Sequence, residues 1–214
     1  MSSEIFSIHH KTPEMRKIAK VADALKSGAV IIYPTDTGLS LGCELSNKNA
    51  IERIRRIRRL PEGKAMTFMC DSLSNVAEFA RVSNQAYKTI KRLIPGPYTF
   101  ILPASKLVPK FAQDPKRKTS GLRVPDNNLS QLLLKELGSP IISISAKLPD
   151  SDDDLSPEEI IEALAPQVDI ALQCDEYSFK GESTVIDMTT DDFAILREGA
   201  GLDKVLRFFE FEEE

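Results

Sequence analysis

The chain has 214 residues, 42% of them apolar and 28% charged, a balance that suits one globular domain needing neither disulfides nor a structural metal to fold. A net charge of −4 excludes a wholesale polycation, and no apolar run approaches the roughly 20 residues of a bilayer span. Three cysteines, at 43, 70 and 174, fit neither a disulfide framework nor a zinc site, and Met-Ser-Ser-Glu-Ile-Phe lacks the regions of a secretory signal, so the expectation is a reduced, cytoplasmic protein.

In chain order, Thr12-Pro13-Glu14 reads as a helix start with a hydroxyl N-cap, proline in the first position and acid in the first turn. Ile18, Val21, Ala22 and Leu25 then recur at helical spacing until Gly28. Ala29 to Pro34 is a buried strand and Gly38 to Leu45 a second. Asn47 caps a helix in which Ala50, Ile51, Ile54 and Ile57 interleave with arginines. A strand from Met66 to Cys70 precedes helices from about Leu73 and Asn84. Strands follow at Tyr98–Leu102 and Leu122–Val124, then a helix after Asn128 ended by Gly138, and a strand at Ile141–Ser145. Asp150 to Leu155 reads as a mobile loop. Ser156-Pro157-Glu158-Glu159 opens another helix, and 170–172, 184–188 and 194–196 are late strands. Without repeats or long linkers, this alternation predicts a single α/β domain with a mixed sheet.

Charge is unevenly spread. Lys48 to Lys64 holds seven basic residues (48, 53, 55, 56, 58, 59 and 64) against Glu52 and Glu62, and Lys106 to Arg123 holds six (106, 110, 116, 117, 118 and 123) against Asp114. Acid gathers at Asp150–Glu159 and in the Glu210–Glu214 tail, which reads as disordered solvation. The basic runs are either a patch for phosphate or polyanion, or solvated faces. His9 and His10 are the only histidines; any His-based triad or zinc site would need them, and the simpler reading is a surface pair. Neither phosphate-loop glycine fingerprint is present.

Five short stretches remain: Tyr33-Pro34-Thr35-Asp36-Thr37-Gly38, Arg58 to Lys64, Pro95-Gly96-Pro97-Tyr98-Thr99-Phe100, Arg123-Val124-Pro125, and Ser143 to Lys147. Each alone is unspecific. In this order, and followed by Ser183-Thr184-Val185-Ile186-Asp187 and Leu196-Arg197-Glu198-Gly199, they resemble the YrdC-like domain family over residues 13–201. Its best-known members make threonylcarbamoyl-adenylate from L-threonine, bicarbonate and ATP for tRNA modification.

The resemblance implies a single domain over residues 1–201, followed at 202–214 by a C-terminal helix or acidic tail, with an open, twisted α/β sheet of parallel and antiparallel strands, flanking helices and a concave basic cavity. Carried onto these residues, it implies that Arg58, Lys64, Ser145, Ser183 and Arg197 hold the nucleotide, with Arg58, Lys64 and Ser145 acting in catalysis. Thr35, Arg123 and Ser143 would hold threonine, Arg123 taking its carboxylate with a planar guanidinium. Mg2+ would enter with ATP, and no protein-held metal is expected. The local alternative for Thr35 is a turn hydrogen bond, and for Ser143 and Ser145 a strand hydroxyl bonded nearby.

The sequence departs from the active pattern in two places. Arg58 and Leu60 stand where Lys-x-Arg is usual, and Lys147 ends what is usually Ser-x-Asn, exchanging an amide for a donor-only ammonium. These departures resemble the YciO branch, and imply reduced or shifted activity. The alternative is a non-catalytic module gripping double-stranded RNA or tRNA through Arg53, Arg55, Arg56, Arg59, Lys116, Arg117 and Lys118. If the protein is active, transfer onto tRNA would call for partner proteins; no membrane partner is expected.

Overall fold

A computed structural model of the protein describes residues 3–61, 64–149 and 155–210. Its strands are β1 (Glu4–Ile8), β2 (Ile31–Pro34), β3 (Leu39–Glu44), β4 (Thr67–Met69), β5 (Tyr98–Pro103), β6 (Thr119–Arg123), β7 (Ile141–Ser145), β8 (Ile170–Cys174), β9 (Thr184–Asp187) and β10 (Ala194–Arg197). The helices are α1 (Met15–Lys26), α2 (Lys48–Ile57), α3 (Leu73–Phe79), α4 (Asn84–Leu93), α5 (Asn128–Leu137), α6 (Pro157–Leu164) and α7 (Leu202–Glu210). None of the described helices is long and apolar enough to cross a membrane.

Local chemistry accounts for most helix ends. Asn47 Oδ1 accepts from the Ala50 N–H at 3.0 Å, Ser72, Ser83 and Asn127 cap α3, α4 and α5 in the same way, and Ser156 with Glu159 forms a capping box. Gly138 ends α5 at φ +74°, a conformation that costs other residues more. The first helix differs from expectation. It starts at Met15 behind Glu14, which makes no side-chain cap, while the Thr12 N–H and Oγ1 both lie 3.2 Å from His9 Nδ1. With Thr12 engaged by His9, the cap position falls to Glu14, whose backbone is extended at φ −74° and ψ 109°.

All ten strands form one open sheet in the order β1-β8-β2-β3-β7-β4-β6-β5-β9-β10. Parallel pairs (β1 with β8, β8 with β2, β4 with β6, β5 with β9) mix with antiparallel ones. β1 escapes the periodicity reading because five residues carry little pattern, and it exists through its distant pairing with β8. Of the proposed loop, Asp150 and its four successors lie outside the described residues. At the C-terminus the helix forms through Glu210, and 211–214 of the acidic tail also lie outside them.

Alternating strand residues divide the core in two. On one face Ile31, Tyr33, Met69, Ile141 and Leu172 pack beneath α1 and α5. On the other, Ile32, Leu41, Phe68, Phe100, Leu122 and Ile142 pack beneath α2, α4 and their neighbours. The first pair of helices covers only part of its face, which leaves the central strands open beyond it.

Candidate active site

The open part of that face is lined by small and polar residues where a core would carry bulk. Gly42 stands opposite Ser143, Ser143 opposite Thr67, Thr67 opposite Gly121 and Gly121 opposite Ile101. From Ser143 to Ile101 this row, with Ser40, Ser145, Thr99 and Val185, floors a cavity of about 560 Å³. Such a concavity at the centre of an α/β sheet is a common ligand position.

At one end lies a buried ion pair. The β2–β3 turn is tied by Thr35, whose N–H and Oγ1 both donate to the Gly38 carbonyl (2.9 and 2.8 Å) and whose Oγ1 accepts from the Thr37 N–H. The turn presents Asp36 to Arg123 at the end of β6. One Arg123 amino group donates to Asp36 Oδ1 and the other to Thr37 Oγ1 at 2.6 Å. Arg123 is 4% exposed and Asp36 2%. Arg123 Nε and Asp36 Oδ2 are nevertheless buried without a hydrogen-bond partner among the described residues. Burial lowers the Arg123 guanidinium from its ordinary value and Asp36 opposes the shift. Beside them the Tyr33 hydroxyl donates to Ser143 Oγ (2.9 Å), which donates to the Leu41 carbonyl (3.0 Å). Burial pushes the Tyr33 phenol up, so it stays a donor.

The other end carries mobile charge held by one acid. Lys147 Nζ lies 2.6 Å from Glu182 Oε1 and an Arg197 amino nitrogen 3.3 Å from Glu182 Oε2. The hydrogen bond from Lys147 holds the Glu182 carboxyl below the ordinary range, against the opposing effect of burial. Arg197 also donates to the Ser183 carbonyl at 3.0 and 2.8 Å and to Ser183 Oγ at 2.9 Å, and Ser183 Oγ meets Thr99 Oγ1 at 2.9 Å. Lys64 and Asp114 also line the cavity. The cavity therefore pairs a buried guanidinium–carboxylate end with a solvent-facing cationic end.

Of the residues singled out by sequence, Lys64, Arg123, Ser143, Ser145, Ser183 and Arg197 line the cavity. Thr35 and Arg58 do not. Thr35 builds the turn that aims Asp36, and Arg58 donates to the Lys147 carbonyl at 2.6 Å, its own Nε buried and unpartnered. Burial lowers Arg58 from its ordinary value. Leu60 packs against the core and lines a different, more open groove of about 720 Å³ with Arg55, Arg56, Arg59, Lys110 and Phe111. Arg53 is paired with Asp169 at 2.6 Å and Arg117 with Asp187 at 2.6 Å, while Lys116 and Lys118 are exposed outside that groove. Asp36, Thr37 and Glu182 carry no role in the sequence reading. The acid at 36 was visible inside its motif, but Glu182 has no local signal and is found only by tertiary contact.

A family model covering Sua5, YciO and YrdC, described as "Telomere recombination", matches residues 23–199. The chain is 44% identical to the uncharacterised protein YciO of Escherichia coli over 200 residues, covering 93% of this chain and 97% of that one. The crystal structure of E. coli YciO superposes with a TM-score of 0.85 at 43% identity, over 92% of this chain and 96% of that one. Threonylcarbamoyl-AMP synthase of Vibrio vulnificus is 30% identical over 158 residues, 72% of this chain and 84% of that protein. P. abyssi Sua5, in its complex with L-threonine, superposes with a TM-score of 0.83 at 26% identity, over 92% of this chain and 58% of that one.

Proposed function

The chain belongs to the Sua5/YciO/YrdC family, and from that membership we propose that its cavity binds L-threonine beside ATP and forms threonylcarbamoyl-adenylate, at reduced efficiency. The observation that carries this reading is the Arg123–Asp36 pair. A guanidinium that lines the cavity, is held in place by Asp36 and Thr37 and keeps a bare Nε suits the carboxylate of an α-amino acid, and that unmade bond is costly until a partner completes it. Relatives support it: threonylcarbamoyl-AMP synthases share the family, and P. abyssi Sua5 is known in complex with L-threonine.

The threonine amine takes up bicarbonate to give a carbamate and water. A carbamate oxygen then attacks the α-phosphorus of ATP, the bond to the β-phosphate oxygen breaks, and pyrophosphate leaves with that electron pair. Catalysis here is positioning plus stabilisation of phosphate charge. Lys64, Arg197 and Lys147 stand where the triphosphate would lie, with Ser145 and Ser183 as hydroxyl donors. Arg58, absent from the lining and tied to the Lys147 carbonyl, would act by positioning the segment after β7. Leu60 supplies no cation to the cavity, which accords with a reduced rate. Asp114 Oδ1 is taken by the Lys116 and Arg117 N–H groups and Glu182 by its two cations, so the lining suits Mg2+ carried in by ATP, with phosphate and water as its ligands.

The test is a thermal-shift series with ATP, AMP and threonine, each with and without Mg2+, followed by pyrophosphate release. A threonine-dependent rise that grows with ATP, together with threonine-dependent pyrophosphate, is expected. No shift with any ligand at millimolar concentration overturns the reading.

A second reading, RNA binding without catalysis, rests on the 720 Å³ groove, where Arg55, Arg56, Arg59 and Lys110 gather beside Phe111. Phosphate contacts there would make RNA affinity fall steeply with salt, and reversing the charge of Arg56 and Lys110 would weaken it. Loss of threonine chemistry in Arg123→Met with RNA binding intact would separate the two readings.

A further inference from the structure

Edge strand β1 pairs with β8 alone, and where these parallel strands end, His9 and His10 meet Asp175, 165 residues away in sequence from His10. We propose that His9 Nε2, His10 Nδ1 and an Asp175 carboxylate oxygen form a surface site for one divalent transition-metal ion of the zinc class, which clamps β1 onto β8.

Distances support it. His10 Nδ1 lies 3.0 Å from Asp175 Oδ1 and His9 Nε2 3.5 Å from Asp175 Oδ2, and one ligand atom from each residue falls within 4.8 Å of the others. Metal–ligand bonds of about 2.0–2.2 Å place tetrahedral donors roughly 3.4 Å apart, so the three need little movement to converge. The imidazoles are stacked, 5.4 Å between centroids and 8° between planes, so one exposed ring must turn about its side-chain bonds for both lone pairs to meet at one ion.

The surroundings orient each donor as outer-sphere partners of a metal site do. His10 Nε2, on the far side of its ring, faces Glu176 Oε2 at 3.3 Å. His9 Nδ1, the atom away from the site, faces Thr12 Oγ1 at 3.2 Å. The His10 N–H donates to Asp175 Oδ1 at 2.8 Å and leaves Oδ2 to the metal. Two imidazoles and a carboxylate are zinc-type donors, and exposure of His9 and Asp175 (52% and 47%) leaves the fourth position to water.

Metal uptake shifts the ring hydrogen of both imidazoles. Without metal, the Thr12 N–H donates to His9 Nδ1, which leaves that ring's hydrogen on Nε2, and His10 Nδ1 faces the Asp175 carboxylate at 3.0 Å as a donor. On binding, His9 carries its ring hydrogen on Nδ1, facing the Thr12 hydroxyl, and His10 carries its own on Nε2, facing Glu176. The cysteines do not compete. All three are buried.

The experiment uses tag-free, EDTA-stripped full chain titrated calorimetrically with ZnCl2 at neutral pH. One ion per chain is expected, with affinity at least tenfold weaker in each of H9A, H10A and D175N, and severalfold weaker in E176Q. These are surface changes, so all four variants should melt close to wild type in the absence of zinc. Independently, Co2+ added to wild type should give the visible bands of a tetrahedral nitrogen–oxygen site. Zinc should also slow amide exchange across Ile5–Ile8 in wild type but not in D175N. Absence of binding, binding that survives H9A and D175N, or unchanged exchange in β1 overturns the proposal.

Discussion

Replacing Arg123 by methionine leaves the Asp36 carboxylate, 2% exposed, without its cation. Replacing Asp36 by asparagine strands the guanidinium, 4% exposed. Breaking a buried pair from one side costs about 3–5 kcal/mol, because the surviving charge keeps its desolvation penalty and loses its partner. Here the penalty is undiluted, since neither Arg123 Nε nor Asp36 Oδ2 has another partner among the described residues. For a chain of this length that is a drop of roughly 6–20 °C in melting temperature. The double variant D36N/R123M removes both charges together, so it should cost clearly less than the sum of the singles, with a coupling energy of at least about 2 kcal/mol. Urea unfolding of wild type, both singles and the double, with m-values compared, measures this. Single losses under about 1 kcal/mol, or strict additivity, would refute the account of the pair as a buried, mutually dependent unit. The threonine-dependent thermal shift should be absent in R123M and equally absent in the recovered double variant, which separates ligand recognition from folding.

Three further outcomes follow from the same geometry. Glu182→Gln releases Lys147 and Arg197 and removes a negative charge from the cationic end; ATP or pyrophosphate should bind about three- to tenfold tighter by calorimetry, in keeping with partly exposed ion pairs, and weaker binding would contradict the clasp. Because the Glu182 carboxyl is held below its ordinary value of 4.5, the clasp contributes stability above that pH and loses it as pH falls through the lowered value. The melting-temperature difference between wild type and E182Q should therefore vanish in acid and persist at neutral pH. Gly42→Ala places a methyl 2.7 Å from both Ile141 Cγ2 and Tyr33 Cε1; this overpacking should cost about 1–3 kcal/mol and, by displacing the ring that holds Ser143, weaken threonine binding alongside, as chemical unfolding and thermal shift would record.

Much of the fold was legible because its causes are local. The Asn47 cap and the Ser156-Pro157-Glu158-Glu159 start, the apolar spacing of α1 and α2, and the Val-Ile-Ile-Tyr and Ile-Ile-Ser-Ile runs announce helices and strands without reference to the rest of the chain. Strand order, and β1 itself, were not legible, since pairing Glu4–Ile8 with Ile170–Cys174 leaves no mark within either segment.

The candidate site divides along the same line. Motif order alone marked Lys64, Arg123, Ser143, Ser145, Ser183 and Arg197, and the structure collects them around one cavity, because strand ends and a shared face bring together residues that motifs merely count. Burial and partnership were decided only in three dimensions. Thr35 and Arg58 turn inward to a carbonyl each, Arg53 and Arg117 are taken by Asp169 and Asp187, and Glu182 spans Lys147 and Arg197. A residue's type states what it can bind; which bonds it still has free is fixed by neighbours from elsewhere in the chain, and that is a property of the packed sheet.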